Sequence, residues 1–183
     1  MSERQPDLSV VIPTLGRPLL IRTLESLLST GGFDRCEVIV IGVVPPGATL
    51  DKLKNLIAHY PRIRRLEMSF SQGDMSEKRN VGWKDARGDI VAFVDDDVVV
   101  AGQWVLGILE PFERPDVGLV TGPSLVPNDL QTMPRLAGVT LASKATGYVS
   151  QRYLSVSHEP LEVPWSRIIG CNMAFRKSLL ELV

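Results

Sequence analysis

Residues 90–94, Ile-Val-Ala-Phe-Val, form an apolar run that ends directly on three consecutive aspartates, Asp95, Asp96 and Asp97. The run is too short to cross a membrane and too apolar for an exposed loop. It reads as a buried strand of a parallel sheet, entered from a Gly88-Asp89 turn. Three carboxylates where such a strand ends repel one another and lose hydration if they are covered. A divalent cation relieves that cost, and hard oxygen ligands suit Mg²⁺ or Mn²⁺. Open α/β sheets also bind ligands beyond the carboxyl ends of their strands. A plainer reading stays open: a solvated acidic turn, or an N-cap for a helix beginning near Gln103.

The rest of the chain supplies the layers that such a strand requires. Leu8–Pro13 is a short β-branched run closed by proline, and Arg17–Ser29 carries Leu20, Leu24, Leu27 and Leu28 at helical spacing, with Pro18 tolerated in the first turn. Gly31-Gly32 ends that helix. Glu37–Ile41 predicts a second strand, Leu50–His59 a second helix, Ile63–Phe70 a weaker third strand, and Asp74–Ala86 a third helix terminated by Gly88. Strand and helix alternate up to the aspartates, which implies a parallel sheet covered on both faces. A helix over Gln103–Phe112 and a strand over Val117–Thr121 follow. Pro123–Val163 has weak periodicity and reads as a long excursion that covers a site. Phe175–Val183 reads as the first turns of an amphipathic helix without a cap, as expected for a piece of a longer protein.

Composition excludes several classes of function. At 183 residues, with 44% hydrophobic and 22% charged residues, the chain suits one α/β domain with a substantial core. A net charge of -1 gives no support to nucleic acid as a partner. The densest basic patch, Arg62, Arg64 and Arg65, lacks interleaved aromatics and reads as a solvated strand edge. Cys36 and Cys171 form no C-x-x-C pair, which suggests a reducing compartment and no zinc site. No signal peptide opens the chain, and no stretch approaches the roughly 20 apolar residues of a membrane span. A soluble, cytoplasmic location is expected, peripheral to the membrane in a longer protein.

Four segments, taken in order, resemble glycosyltransferase family 2 of the GT-A fold. Ser9-Val-Val-Ile-Pro-Thr-Leu-Gly-Arg17 is similar to the family's opening S-V-V-I-P-T-x-x-R, and Ser76-Glu-Lys-Arg-Asn-Val-Gly82 to its A-R-N-x-G segment. Gly88–Asp97 resembles its G-D-x-x-x-F-x-D-x-D strand and metal motif, and Gly170-Cys-Asn-Met-Ala-Phe-Arg176 its acceptor-side G-x-N-x-A-F-R. The resemblance runs from Leu8 to Val183. It implies a three-layer, Rossmann-like α/β fold with a mostly parallel central sheet, in one domain that is incomplete at its C-terminus. Residues 1–100 would form the nucleotide-binding half and 101–183 the acceptor-side half.

The resemblance also implies roles. Asp95 would approach the ribose of a nucleotide sugar, Asp97 would bind the Mn²⁺ or Mg²⁺ that bridges the diphosphate, and Asp96, between them, is counted among the nucleotide-sugar-binding residues. Arg79 would lie near the base, with Pro13 and Thr14 in the loop beneath it; Arg17 and Asn80 complete the nucleotide-sugar-binding set. Gly170 and Asn172 would face the donor sugar and acceptor, although a glycine turn before a strand is an equally simple reading. Arg79 could equally be a surface helix residue paired with an acid. Trp165 offers either a sugar-stacking face or a core contact, and Trp83 and Trp104 are assigned to packing.

Two departures from the family pattern stand out. Gly42 lies where an acidic residue usually follows strand two, which leaves the donor open among UDP, GDP and dTDP types. The family's general base, a carboxylate in a Glu-Asp pair, is expected beyond Val183; His158, Glu159 and Glu162 do not match it. The implied activity is an inverting, metal-dependent transfer to a hydroxyl of a carbohydrate or lipid-linked acceptor, in polysaccharide or glycoconjugate synthesis. A sugar nucleotidyltransferase is disfavoured because Pro13–Pro18 lacks a glycine-rich phosphate loop. The remaining alternative is a catalytically inert domain that binds a nucleotide sugar or a partner.

Overall fold

The structure is a computed structural model that describes residues 5–68, 74–122 and 170–182. Its centre is a six-stranded sheet in the order β3-β2-β1-β4-β6-β5. The strands are β1 (Leu8–Thr14), β2 (Cys36–Gly42), β3 (Ile63–Glu67), β4 (Ile90–Val94), β5 (Leu119–Thr121) and β6 (Asn172–Arg176). The helices are α1 (Leu19–Leu28), α2 (Ala48–His59), α3 (Met75–Asp85), α4 (Trp104–Leu109) and α5 (Lys177–Leu180). β1 to β4 pair in parallel, whereas β6 runs antiparallel to both β4 and β5.

Period-two alternation splits the strand side chains between two cores. Leu8, Val10 and Ile12 of β1, Val38 and Val40 of β2, and Ile90, Ala92 and Val94 of β4 point to one face, where Leu20, Leu24, Leu27, Leu53, Val105 and Ile108 cover them. Val11, Ile39, Ile41, Val91 and Phe93 point to the other, beneath Trp83, Ala86 and Leu180. Every residue of β1, β2 and β4 is buried, so near-continuous apolar runs are what these strands require.

Helix α3 positions the site and starts from a well-made cap. Asp74 Oδ1 accepts the amides of Ser76 and Glu77 at 2.9 and 3.0 Å, satisfying two of the unpaired donors at the helix start. α3 presses on β1 at Gly82, where an added Cβ would overlap Val11 Cγ1. That contact explains why the Arg-Asn-x-Gly segment needs its glycine. Gly82→Ala is expected to lower the unfolding free energy by about 2 kcal/mol, the usual scale of overpacking. A urea titration reads the effect, and an unchanged midpoint would contradict the tight helix–strand approach.

Several boundaries differ from the sequence reading. α3 ends at Asp85 with Ala86 extended, so Gly88 is not its terminator; instead the Gly88 amide donates to Ser9 Oγ at 2.8 Å. A 3-10 turn, Phe33–Arg35, precedes β2, and another, Glu110–Glu113, takes over from α4 with Pro111 in its first turn. The aspartates do not cap α4, whose N-cap is Gln103 without a side-chain bond. Phe175 and Arg176 belong to β6 rather than to a helix. Arg176 donates to the carbonyls of Val117, Phe112 and Arg114 at 2.7–2.8 Å, closing the turn before β5. The basic patch is not a solvated edge either: Arg64 reaches inward to Glu37 and Asp85, and Arg65 pairs with Glu67. The Pro123–Val163 excursion, Trp165, His158, Glu159 and Glu162 lie outside the described residues.

Candidate functional site

β1 and β4 are parallel neighbours with Val11 opposite Phe93. Their carboxyl ends therefore bring Pro13 and Thr14 beside Asp95, Asp96 and Asp97. The alternation of β4 continues past its last residue. Asp95 turns toward α3 and meets Arg79 Nη2 at 2.7 Å. Asp96 turns to the opposite face, below the β1–α1 connection, and is 1% exposed.

Both oxygens of Asp96 are engaged. Thr14 Oγ1 donates to Oδ2 at 2.6 Å, and Arg17 donates to Oδ1 through Nε at 3.1 Å and through Nη2. The Thr14 hydroxyl also accepts the Gly16 amide at 2.8 Å, which fixes the loop carrying Arg17. Asp97 is the carboxylate left open, with a side chain 41% exposed and Arg17 Nη2 at 3.2 Å. Hydrogen bonding to Asp96 raises the Arg17 guanidinium above its ordinary value, and the charges of Asp96 and Asp97 add to this against the loss of hydration.

Three carboxylates thus meet two guanidiniums, and a cation is not needed to hold the triplet together. The repulsion expected from the sequence is met largely inside the chain. Among the described residues no group of three His, Cys, Asp or Glu side chains is arranged as a metal cage. The donor set fits a different kind of site: hard oxygens from one or two carboxylates, completed by the phosphate oxygens of a ligand, which is how Mg²⁺ is commonly held. Arg79 Nε is buried without a hydrogen-bond partner, a donor that a ligand would satisfy.

The other predicted residues fall into place unevenly. Pro13 and Thr14 are the buried last residues of β1 rather than a loop. Asn80 is exposed on α3, and no described hydrogen bond joins it to the cluster. Gly170 comes close to the Arg79 guanidinium, with 3.9 Å from an ideal Cβ to Nη2. Asn172 begins β6 opposite Val94, one residue from Asp95.

Two residues escaped the sequence reading. Trp104 donates its indole N–H to Asn172 Oδ1 at 3.0 Å, so it orients that amide as well as packing. Lys78, 4% exposed on α3, runs its side chain beside Gly42; its place next to Arg79 in the motif was the only hint. Gly42 itself has φ +131°, and a Cβ there would overlap the Thr14 carbonyl oxygen. The backbone of β1 therefore excludes an acidic side chain at that position.

The fold and site together define an α/β domain of the GT-A class. A mannosyltransferase from Pyrobaculum calidifontis, solved with GDP-Man and Mn²⁺, superposes with a TM-score of 0.66 at 22% identity over 98% of this chain and 47% of its own. Staphylococcus aureus TarS 1-349 with UDP gives a TM-score of 0.68 at 17% identity over 96% of this chain and 48% of its own. The chain belongs to glycosyl transferase family 2, whose sequence model matches residues 9–182. An O-antigen biosynthesis protein, RfbC of Myxococcus xanthus, is 24% identical over 96% of this chain and 14% of its own length. The chain thus spans less than half the length of these relatives. The family match does not favour an inert binding domain over a glycosyltransferase. No helix among the described residues is long and apolar enough to cross a membrane.

Proposed function

We propose that this domain binds a nucleoside-diphosphate sugar with Mn²⁺ or Mg²⁺ at the carboxyl ends of β1 and β4. It forms the donor side of an inverting transfer of the sugar to a hydroxyl of a carbohydrate or lipid-linked acceptor, in polysaccharide or glycoconjugate synthesis. The observation that carries this reading is the division of labour among the aspartates. Asp96 is buried and fully committed, Asp95 is held by Arg79, and Asp97 stands open at the mouth.

Asp97 is the residue that would hold a divalent ion, which when bound would supply a Lewis acid for the negative charge of a departing diphosphate. The chain's own residues do the rest of the positioning. Arg79 holds Asp95 toward α3, where a ribose would approach, and keeps Nε available to the nucleotide. Trp104 holds the Asn172 side chain at the edge of the same opening, where the donor sugar would lie. The GDP-Man and Mn²⁺ bound by the Pyrobaculum enzyme, and the UDP bound by TarS, support a sugar-nucleotide ligand. The name of RfbC supports polysaccharide synthesis. The family's base, expected in a Glu-Asp pair, is not among the four motifs, and the residues named above are assigned to donor binding rather than acceptor activation. A cytoplasmic place at the membrane periphery goes with a lipid-linked acceptor.

Calorimetric titration of UDP, GDP and dTDP in the presence of Mn²⁺ tests the reading. At least one is expected to bind, and Asp97→Ala is expected to weaken it tenfold or more. If none binds the parent protein, or if Asp97→Ala binds equally well, the proposal fails.

A further inference from the structure

Arg17 contacts two aspartates of very different character. Its Nε and Nη2 grip Asp96, which is 1% exposed, while the same Nη2 lies 3.2 Å from Asp97, which is 41% exposed. The Arg17 side chain is itself half exposed, at 50%. One end of this arrangement is a buried anchor; the other is an open ion pair of the kind that solvent weakens. A divalent ion arriving at Asp97 meets a carboxylate already shared with a guanidinium and a positive charge within a few ångströms.

We propose that Arg17 is the resident counter-ion of the metal carboxylate. Hinged on Asp96, it gives up Asp97 to the incoming ion and turns its freed N–H groups to the diphosphate that arrives with that ion. Three features support the exchange. The guanidinium carries enough donors in a planar fork to keep Asp96 while releasing Asp97, and that fork matches phosphate oxygens. The hinge is fixed, because Thr14 holds both Asp96 and the Gly16 amide. The local charge also has the required sign: one guanidinium, Arg17, is shared by two carboxylates, Asp96 and Asp97, which favours a metal ion at the open one.

The consequence is coupled loading. Arg17 competes with the metal when the nucleotide is absent and assists it when the nucleotide is present, so metal and diphosphate each raise the affinity for the other. The inference rests on the proposed function throughout: the counter-ion half on its metal site at Asp97, the exchange half on its diphosphate.

The test separates the two. Mn²⁺ binding without nucleotide is followed by electron paramagnetic resonance of the free ion, and GDP, UDP and dTDP binding at saturating Mn²⁺ by calorimetry. Because Arg17→Gln alone would strand a buried carboxylate, the primary variant is Arg17→Gln with Asp96→Asn. It is expected to bind Mn²⁺ alone about tenfold more tightly and the diphosphate about tenfold more weakly. Arg17→Lys, whose point charge serves Asp96 but cannot bridge to Asp97, should tighten Mn²⁺ about threefold and hold diphosphate affinity within about threefold. Circular dichroism confirms that each variant is folded. Unchanged or weaker Mn²⁺ binding in both folded variants overturns the counter-ion role. In the double variant, tighter Mn²⁺ with unchanged diphosphate binding overturns the exchange. A parent protein that binds Mn²⁺ but none of GDP, UDP and dTDP overturns the proposed function instead, and the Mn²⁺ comparison still decides the counter-ion role.

Discussion

Asp96→Ala is expected to lower the unfolding free energy by about 3 kcal/mol, whereas Asp97→Ala, one residue away, should cost less than about 1 kcal/mol. The first removes a buried carboxylate from two partners: the Thr14 hydroxyl loses its acceptor and Arg17 loses its anchor. Breaking a buried, hydrogen-bonded pair on one side typically costs 3–5 kcal/mol. The low end applies because Arg17 is half exposed and can still reach Asp97 and water. Asp97 takes part only in an exposed ion pair, whose worth is about 0–1 kcal/mol. Urea denaturation of the two variants beside the parent reads the difference. Equal losses would contradict the assignment of Asp96 to the scaffold and Asp97 to ligand binding.

The second large effect is at the opposite end of the sheet. Glu37, the second residue of β2, is 4% exposed. It accepts from Ser9 Oγ at 2.7 Å, from the Arg87 amide at 2.7 Å and from Arg64 Nε at 2.9 Å. Burial opposes ionisation of this carboxyl, but the bonds from Ser9, Arg64 and Arg87, with the Arg64 charge, outweigh it and hold the group below its ordinary value of 4.5. A carboxyl lowered on folding stabilises the native state at pH above its unfolded value. That contribution declines as pH falls below about 4.5 and is gone once pH drops beneath the lower folded value. Glu37→Gln is therefore expected to cost about 3 kcal/mol at pH 7, and progressively less as the medium is acidified through that window. Denaturation curves from pH 7 to pH 3 check it. A constant penalty across that range would refute the assignment of Glu37 as an ionised structural group.

How far the sequence carried is clearest at β4. Its apolar run, its limits at Ile90 and Val94 and its ending on the aspartates are local properties, and the structure agrees with all three. β1, β2 and α2 were also found, where period and turn residues coincide, each one or two residues longer than the sequence reading made it. β6 was read only in part, as a strand after the Gly170 turn; its last residues, Phe175 and Arg176, were given to a helix because Arg176-Lys-Ser-Leu-Leu suggests one when read alone and the partner strand β4 lies far away in the chain. The site divides in the same way. The four motifs marked Asp95, Asp97, Arg79 and Arg17, but not which acid each arginine holds, because those pairs join elements 16 and 79 residues apart. The opposed facing of Asp95 and Asp96 was within reach, since it only extends the strand's alternation past Val94. The partnership of Trp104 with Asn172 spans 68 residues and left no local trace. Gly42 was visible as a departure, but its cause, the carbonyl of Thr14, belongs to a neighbouring strand.

The reversed direction of β6 has a consequence for how such a domain diversifies. β5 runs toward the site and ends at Thr121; β6 starts at Asn172 beside it, and Thr121 Oγ1 donates to the Asn172 carbonyl at 2.7 Å. The chain between them leaves and re-enters the sheet through a single stapled doorway at the rim of the opening. Its length and composition can drift in evolution without altering the pairing of any strand or the placing of any aspartate. One chassis can thus accept different connections between these two strands while its paired aspartates and arginines stay as they are.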